Sequence, residues 1–456
     1  MDGDQINPEC PGCRALQKRV AELEAKVDEL MRIIEGLTRA GKRQSAPFSK
    51  GPPKVEPKKP GRKSGDEHGE HAERSVPPRI DEHYDALLPE ACPHCGGESL
   101  SETSVASQYQ TEIVRRAVHR EFHVHIGCCD DCGRRVQGRH PLQTSDALGA
   151  ARSQLGAEAH ATMTWLNKSL GLSHGKVAKF FQQLFGIEVA RATSVRSTQR
   201  TARRCSPAYE QIRQEIRGSP WVVPDETGWR VNGRSAWLHV HVGPRATCYA
   251  IDPHRDASVT EQLLGENWSG VMIHDGWAPY AQFAAAWHQQ CLAHALRRAR
   301  ELLDVATRGA TRFPRQVLDL VQRALAWRDR YDSCGVSDTA RQRAYERFTA
   351  ELESLVDTRR TNAANQRFAN HLAAHLHEWF FFLTRPGLDA TNWRAEQAIR
   401  PAVVNRKVWG GNRTWLGARV QATLTSILVT LTQRSQDVLP YLIATLQSQS
   451  PMPLPA

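Results

Sequence analysis

Two short apolar stretches that end in acids decide the fold: Trp221-Val222-Val223-Pro224-Asp225-Glu226 and Val271-Met272-Ile273-His274-Asp275-Gly276. Each apolar run has the length and the residue types of a buried β-strand. Because side chains alternate between the two faces of a strand, Asp225 and Asp275 each share a face with the residue two positions before them, and Glu226 points the opposite way. The sequence therefore predicts two strands with an aspartate at the C-terminal end.

The residues around these stretches indicate a mixed α/β fold. Alternating apolar side chains predict a strand over Trp237–Val242, and Cys248–Ile251 is a further candidate strand. A helix is expected at about 258–264, between these strands and the second acidic stretch. Successive strands followed by a helix and another strand form a mixed sheet with helices packed on it.

Asp225 and Asp275 have a functional and a structural interpretation. Two carboxylates at neighbouring strand ends repel each other unless a cation lies between them. Mg²⁺ suits such a site because it prefers oxygen ligands and retains waters for a substrate. Strand-end aspartates also commonly cap turns, and Asp275-Gly276 is typical turn chemistry. Without further context, these residues favour the turn interpretation.

Length and composition limit the class of protein. The 456 residues predict two to four domains, and 40% apolar with 24% charged residues excludes wholesale disorder. The sequence has no apolar run of about 18 residues, which argues against a membrane span, and its acidic N-terminus is unlike a secretory signal. An intracellular protein is expected. Its 11 cysteines would stay reduced there, so closely spaced pairs indicate metal sites.

The basic excess is concentrated in two segments. The formal net charge is +11, of which residues 42–63 contribute +7 and residues 176–204 contribute +6. The first segment carries eight Lys/Arg and five Pro, so it is predicted to be an extended linker. It is either a solvated spacer or an electrostatic arm that neutralises DNA phosphates. The candidate contacts are Lys58, Lys59, Arg62 and Lys63.

The N-terminal region predicts a coiled coil. Apolar residues recur in alternating steps of four and three, with Leu at each d position, which favours a parallel two-stranded coiled coil. A homodimer or a higher oligomer is therefore expected. The alternative is an amphipathic helix packed on its own chain. The positions are Leu16, Val20, Leu23, Val27, Leu30, Ile34 and Leu37.

Two CxxCG motifs predict a zinc ribbon. Cys92 and Cys95 form one pair and Cys129 and Cys132 form the other, and two such turns complete a tetrahedral structural Zn²⁺ site. Alternating apolar residues over 118–126 predict a strand between the pairs. The neighbouring Cys128 leaves the choice of ligand open. A further pair, Cys10 and Cys13, is either a metal site shared in a dimer or two plain thiols.

Residues from about 150 to 215 predict a helical DNA-binding domain. Ser173 can cap one helix, Gly186 turns the chain, and Thr193 can cap a second helix. A helix, a glycine turn and a basic second helix outline a helix-turn-helix, although small helical bundles share that outline. The basic residues of the second helix are Arg196, Arg200, Arg203 and Arg204.

The ordered motifs resemble those of a known family. The series comprises Asp225-Glu226-Thr227-Gly228-Trp229, His274-Asp275-Gly276-Trp277, Cys291-Leu292-Ala293-His294, Thr391-Asn392-Trp393-Arg394-Ala395-Glu396, Ile399-Arg400-Pro401 and Asn405-Arg406-Lys407-Val408-Trp409-Gly410-Gly411. This series, with the upstream zipper, basic linker and first cysteine pair, resembles the DDE transposases of the insertion sequence 66 family over nearly the whole chain. The sequence departs from the family pattern at Trp393 and Gln397.

The resemblance implies a ribonuclease H-like catalytic core with Asp225, Asp275 and Glu396 as an acidic triad. It implies two catalytic Mg²⁺ or Mn²⁺ ions, DNA as substrate and partner, and accessory proteins as further partners. Such a protein is expected in the bacterial cytoplasm, associated with the nucleoid. Three basic residues near the third acid are candidate phosphate contacts or a solvated basic face: Arg400, Arg406 and Lys407.

The predicted organisation is a multidomain α/β fold, with a helical insertion between the second and third acids of the triad. Glu396 is expected on a helix that Thr391 caps and Pro401 interrupts. The predicted divisions are a coiled coil over 1–40, a basic linker over 41–80, a zinc ribbon over 81–145, a helix-turn-helix-like domain over 146–216, a catalytic core over 217–299, a helical insertion over 300–385 and the second part of the core over 386–456.

His288, Cys291 and His294 recur every three residues, as if on one helix face. They are either packing and positioning residues or part of a second metal site, and the sequence offers no fourth ligand.

The predicted function is transposition by two-metal phosphoryl transfer, with cleavage at the ends of an insertion sequence and joining of the 3′ ends to target DNA. Two alternatives remain. A non-catalytic DNA-binding regulator would need only the zipper, basic arm and helix-turn-helix. A ribonuclease H-like nuclease would cleave DNA without joining strands.

Overall fold

The structure is a computed structural model that describes residues 18–23, 26–27, 29–30, 76–114, 116–148, 154–332 and 335–455. The chain divides into two units, Met1–Ile113 and Val114–Ala456. Several predicted features lie outside the described residues: the basic linker with its four candidate cations, Cys10 and Cys13, and the zipper positions Leu16, Ile34 and Leu37.

In the first unit, the described residues between 18 and 30 are helical. The four described zipper positions are about half exposed, between 48% and 56%: Val20, Leu23, Val27 and Leu30. Residues 76–113 contain neither helix nor strand.

The second unit begins with a short hairpin and four helices. Strands β1 (Ile126–Cys128) and β2 (Arg135–Gln137) pair antiparallel. The strand predicted over 118–126 is wrong, because only its last residue enters the ladder. Alternation of apolar and polar residues favours a strand, but residues 118–124 have no neighbouring strand with which to form backbone hydrogen bonds among the described residues. The helices are α1 (Ala157–Lys168), α2 (His174–Phe185), α3 (Arg191–Arg204) and α4 (Ser206–Arg217).

The caps of α2 follow the prediction, and the cap of α3 does not. Ser173 accepts a hydrogen bond from the Lys176 N–H at 3.3 Å, and Gly186 ends α2 in the left-handed conformation at φ 66°. Helix α3 starts before Thr193, after an extended Ala190 whose carbonyl accepts the first helical hydrogen bonds.

The centre of the second unit is a five-stranded sheet within the described residues. Its order is β5-β4-β3-β6-β7, with antiparallel pairing among β3, β4 and β5 and parallel pairing of β6 with β3 and β7. Helix α5 (Ser258–Leu264) connects β5 to β6. The strands are β3 (Trp221–Val231), β4 (Arg234–Val242), β5 (Thr247–Asp252), β6 (Val271–His274) and β7 (Trp287–Gln290).

Both faces of the sheet are buried, as the apolar runs predict. Val223 and Ile273 belong to one apolar cluster, whereas Val222 and Met272 belong to another. The predicted alternation is therefore confirmed in both acid-bearing strands. Strand β3 is longer than predicted, however, so Asp225 lies in its interior and not at its end.

Long helices follow the sheet. They are α6 (Leu292–Val305), α7 (Arg312–Asp332), α8 (Asp338–Asp357), α9 (Ala363–Ala374), α10 (Trp393–Trp409), α11 (Trp415–Gln433) and α12 (Val438–Gln447). Helix α9 ends at Ala374. The residues after it form short 3₁₀ turns that still bury Trp379, Phe380 and Leu383. No helix among the described residues is long and apolar enough to cross a membrane.

The limits of α10 differ from the prediction. Asn392, and not Thr391, precedes the first residue of the helix. Pro401 lies inside the helix, which continues for two further turns. Proline removes one backbone N–H and strains the preceding turn, but Ile399, Ala402 and Val403 are buried on both sides of it. Apolar packing on the sheet outweighs that local cost.

Candidate active site

Asp225 lies on the central strand of the sheet. It pairs with Val240 on β4, while β6 pairs with β3 only at Trp221 and Val222. Continuing the β3–β6 register past the last paired residues brings Asp225 level with Asp275. The half-buried Asp225 side chain therefore stands where the two parallel strands separate.

Asp275 follows β6 directly and is exposed. Its Oδ1 accepts a hydrogen bond from the Trp277 N–H at 3.1 Å, and Gly276 adopts φ 88°. The turn interpretation is therefore correct for the backbone at this position.

Glu396 lies on the first turn of α10, whose start is tied to the start of α6. The Leu292 N–H donates to the Ala390 carbonyl at 2.9 Å, and the Asn392 N–H donates to the Cys291 sulfur at 3.4 Å. Because α6 follows β7 directly, these bonds attach the Glu396 helix to the sheet.

The three acids are in electrostatic contact. Burial raises the pKa of Asp225 to about 8, and the neighbouring charges of Glu226, Asp275 and Glu396 add to that effect. Each of these carboxylates makes ionisation of Asp225 harder. The charges of Asp275 and Glu396 thus both reach Asp225, although they lie far apart in the sequence.

The donor chemistry fits a hard divalent cation, which prefers carboxylate oxygens. Among the described residues, no three His, Cys, Asp or Glu side chains are grouped closely enough to hold a metal as they stand. Asp225 and Asp275 each use one oxygen on a nearby backbone N–H, that of Glu226 at 2.8 Å and that of Trp277 at 3.1 Å.

Sequence reasoning missed a fourth acid and its partners. Glu226 points to the opposite face, as the alternation predicts, yet it takes part in the site. Its Oε1 accepts hydrogen bonds from Arg255 at 3.1 and 2.9 Å, and its Oε2 accepts one from the Tyr280 hydroxyl at 3.2 Å. Burial raises the pKa of Glu226, Arg255 opposes that rise, and Asp275 adds to it. In the sequence, only the presence of a glutamate next to Asp225 on a buried strand could have indicated that Glu226 belongs to the site.

The buried His274 and the half-buried His288 brace the Asp275 turn. His274 Nδ1 accepts from the Gly276 N–H at 3.1 Å, so its Nε2 carries the proton and donates to His288 Nδ1 at 2.9 Å. His288 Nε2 then donates to the Phe283 carbonyl at 3.1 Å. Burial lowers the pKa of His274 to about 3, which keeps His274 neutral.

The prediction that His288, Cys291 and His294 share one helix face is wrong. His288 lies on β7, Cys291 precedes the first residue of α6, and His294 lies on that helix. Strand β7 was not predicted, because its Trp-His-Gln-Gln sequence has no apolar alternation. The contacts of His288 and Cys291 are those of positioning residues.

The predicted DNA-binding arginines of α3 divide into two pairs. Arg196 and Arg203 are exposed. Arg200 donates to His160 at 3.2 Å, and Arg204 donates to the Ser448 carbonyl. Internal contacts thus occupy the second pair.

Near the end of α10, Lys407 is exposed and Arg406 is half-buried, and Arg400 on the same helix is exposed. Burial and the charge of Arg230 lower the pKa of Arg406. An ideal Cβ on Gly228 would lie 3.6 Å from the Arg406 guanidinium, which places this cation beside β3.

The two cysteine turns have the same backbone pattern. The N–H of Gly96 donates to the Cys92 carbonyl, and that of Gly133 donates to the Cys129 carbonyl, both at 2.8 Å. Backbone N–H groups in each turn lower the pKa of Cys92 and of Cys129, which favours the thiolate form that metals bind. Cys95, Cys128 and Cys132 are free and exposed.

These features define a mixed α/β protein with an acidic centre where a five-stranded sheet meets a helix. The chain belongs to the transposase IS66 family, whose family model matches residues 152–420, more than half of the sequence. The matched range contains Asp225, Asp275 and Glu396. No curated protein matches the chain. A transposase acts on DNA, so the family gives the substrate class.

Replacing Asp225 with Asn should change the pH dependence of stability. A carboxyl whose pKa is raised by folding stabilises the protein below its ordinary pKa near 3.8, and that contribution is lost as pH rises to about 8. We expect Asp225→Asn to gain at least about 2 °C in Tm over the wild type in Mg²⁺-free buffer near pH 8.5, a shift that corresponds to roughly 1 kcal/mol. Calorimetry near pH 5 should show a smaller gap.

Asp256→Asn is the matched control. Hydrogen bonds from Ser258 lower the pKa of Asp256, so this variant should gain nothing as pH rises. A gap between Asp225→Asn and the wild type that stays constant with pH would contradict the electrostatic account.

Proposed function

We propose that this transposase cleaves DNA at the ends of an insertion sequence and joins the 3′ ends to target DNA. Family membership supports the transposase function, and one observation supports the chemistry. Two acids distant in sequence, Asp275 and Glu396, act on the pKa of the half-buried Asp225. A concentration of carboxylates is needed for metal-dependent phosphoryl transfer.

The catalytic core is proposed to be ribonuclease H-like. Its support is a sheet in which three antiparallel strands are followed by two parallel ones, with Asp225 on the central strand β3. The proposed core comprises residues 217–299 and 386–456. Residues 300–385 form its helical insertion, supported by α7, α8 and α9.

Asp225, Asp275 and Glu396 would hold two Mg²⁺ or Mn²⁺ ions. When bound, the ions would activate the attacking water or 3′-hydroxyl and stabilise the leaving oxygen. The contribution of the chain is to orient the acids: the β3–β6 register sets Asp225 against Asp275, and the contact of Asn392 with Cys291 fixes the start of α10. The hydrogen bond from the Gly276 N–H to His274, which in turn contacts His288, holds the Asp275 turn.

DNA contacts are proposed for exposed cations of the described residues, Arg196 and Arg203 on α3 and Lys407 on α10. The helix-turn-helix role of α2 and α3 is supported by the glycine turn between them. Arg400 and Arg406 are proposed backbone-phosphate contacts. The enzyme would act on the nucleoid, in the bacterial cytoplasm, and accessory proteins would assist it.

A structural zinc ion and a dimer complete the proposal. The repeated backbone pattern of the two cysteine turns supports Zn²⁺ binding by Cys92, Cys95, Cys129 and Cys132. Helical residues with half-exposed apolar side chains at Val20, Leu23, Val27 and Leu30 support a coiled-coil homodimer, because pairing would remove that apolar surface from water.

Native mass spectrometry of the full chain tests both features at once. We expect a dimer with one zinc ion per chain, loss of zinc in Cys92→Ser and Cys129→Ser, and a zinc-loaded monomer for the Leu23→Lys, Leu30→Lys double variant. Cys205→Ser, which changes a buried cysteine outside the two cysteine turns, should keep zinc. A zinc-free wild type would contradict the metal assignment, and an unchanged dimer in the leucine variant would contradict the zipper.

The catalytic proposal is tested with DNA that carries the terminal repeats of the element, with and without Mg²⁺. We expect the wild type to cleave and join this DNA. Asp225→Asn, Asp275→Asn and Glu396→Gln should each lose about a hundredfold or more in rate, as removal of a key electrostatic group does. Denaturing gels separate the cleaved and joined products.

Asp319→Asn is the control, because Asp319 is an exposed acid on α7 that pairs with Arg323. Wild-type activity in the triad variants would overturn the assignment. Cleavage without joining would favour a nuclease, and binding without cleavage would favour a regulator.

A further inference from the structure

Arg255 and its partners form a second feature of the acidic centre. Arg255 lies in the loop between β5 and α5 and reaches Glu226 on the central strand, with both contacts on the same carboxylate oxygen. The Glu226 side chain is only 4% exposed, whereas that of Arg255 is 45% exposed. The ion pair thus has a buried acid and an open guanidinium.

Two tryptophans fix the plane of that guanidinium. The Arg255 Cζ lies 4.8 Å from the centre of the Trp237 ring and 5.3 Å from that of Trp277. Arginine stacks on aromatic faces and so keeps its hydrogen-bonding fork in a set orientation. Trp237 belongs to β4, which pairs with the Asp225 strand β3, and Trp277 follows the Asp275 turn, so both rings lie on segments next to the acids.

The loop itself is braced on both sides of Arg255. The His254 N–H donates to Asp252 at 2.9 Å, and the Ser258 N–H donates to Asp256 at 3.0 Å. His239 on β4 contacts the His254 carbonyl at 3.3 Å. The backbone on both sides of Arg255 is therefore fixed by hydrogen bonds.

The guanidinium retains hydrogen-bonding capacity. Arginine has five N–H donors, and Glu226 takes one from Nε and one from Nη2. Within the described part of the chain, the other three have no hydrogen-bond partner. The guanidinium is thus exposed to solvent and has N–H donors left over. Such a group suits a phosphate, which accepts hydrogen bonds from two parallel N–H groups of an arginine.

We propose that Arg255 binds a backbone phosphate of the DNA strand that enters the acidic centre. Glu226, Trp237, Trp277 and Tyr280 are its positioning residues. Glu226, the partner of Arg255, follows Asp225 directly in the sequence. The charge of Asp275 contributes to the raised pKa of Glu226. Trp277, which lies two residues after Asp275, contacts the Arg255 guanidinium, so this cation lies beside the Asp275 turn. The inference rests on the proposed function, since it assigns part of the same DNA site.

The test measures DNA affinity as a function of salt for the full chain, by fluorescence anisotropy on the terminal-repeat duplex in Mg²⁺-free buffer. Arg255→Gln should weaken binding about tenfold at the lower of two salt concentrations, roughly 50 and 200 mM, and reduce the salt slope by about one, the signature of one lost phosphate contact. Arg255→Lys keeps the charge without the fork, so its slope should stay near that of the wild type while its affinity falls.

Arg213→Gln is the matched control. Arg213 is 36% exposed and pairs with Glu210 at 3.4 Å, so it resembles Arg255 in exposure and pairing but lies outside the acidic centre. It should leave affinity and slope unchanged. If Arg255→Gln lowers Tm but leaves the salt slope at the wild-type value, Arg255 is only a structural ion pair and the inference is wrong.

DNA binding and DNA cleavage are measured separately, so the phosphate contact of Arg255 and the proposed catalytic function can fail independently. A wild type that cleaves and joins DNA, with an Arg255→Gln variant of wild-type affinity and slope, overturns the Arg255 assignment alone. A wild type that binds DNA but never cleaves it, with a slope that falls in Arg255→Gln, supports the phosphate site and overturns the catalytic proposal.

Discussion

Repulsion among carboxylates around Asp225 is the constraint on which the acidic centre depends. Asp225 is half-buried on the central strand, with Glu226, Asp275 and Glu396 acting on it. Concentrated negative charge of this kind opposes folding unless a cation or a proton offsets it. Among the described residues, the Arg255 guanidinium forms an ion pair with Glu226. The proposed Mg²⁺ or Mn²⁺ ions would offset the charge of Asp225, Asp275 and Glu396.

Holding these acids together needs a rigid frame, which strand pairing and hydrogen bonds to the α10 region provide. The parallel pairing of β3 with β6 sets the level of Asp225 against that of Asp275. The start of α10 is tied to the start of α6, and the Tyr249 hydroxyl on β5 donates to the Ala398 carbonyl at 2.7 Å. Apolar packing of α10 on the sheet tolerates Pro401 inside the helix. Helix α10 thus keeps Glu396 in position despite the backbone hydrogen bond that Pro401 removes.

Much of this frame was predictable where burial selects residues locally. The apolar runs before Asp225 and Asp275 identified two strands and their faces, because a strand buried on both sides excludes polar residues. Strand β7 was missed because its polar sequence is held by pairing with β6, which no local pattern records. The Glu226–Arg255 pair was missed for a similar reason, since it joins a strand to a distant loop. The role of Glu396 came from resemblance alone.

The most direct test of the central claim is the equilibrium binding of Mn²⁺, followed by electron paramagnetic resonance of the free ion. If the acids form one cation site, the wild type binds Mn²⁺, and both Asp225→Asn and Glu396→Gln lose that binding while Cys129→Ser retains it. Equal Mn²⁺ binding by the wild type and the two acid variants would contradict the account.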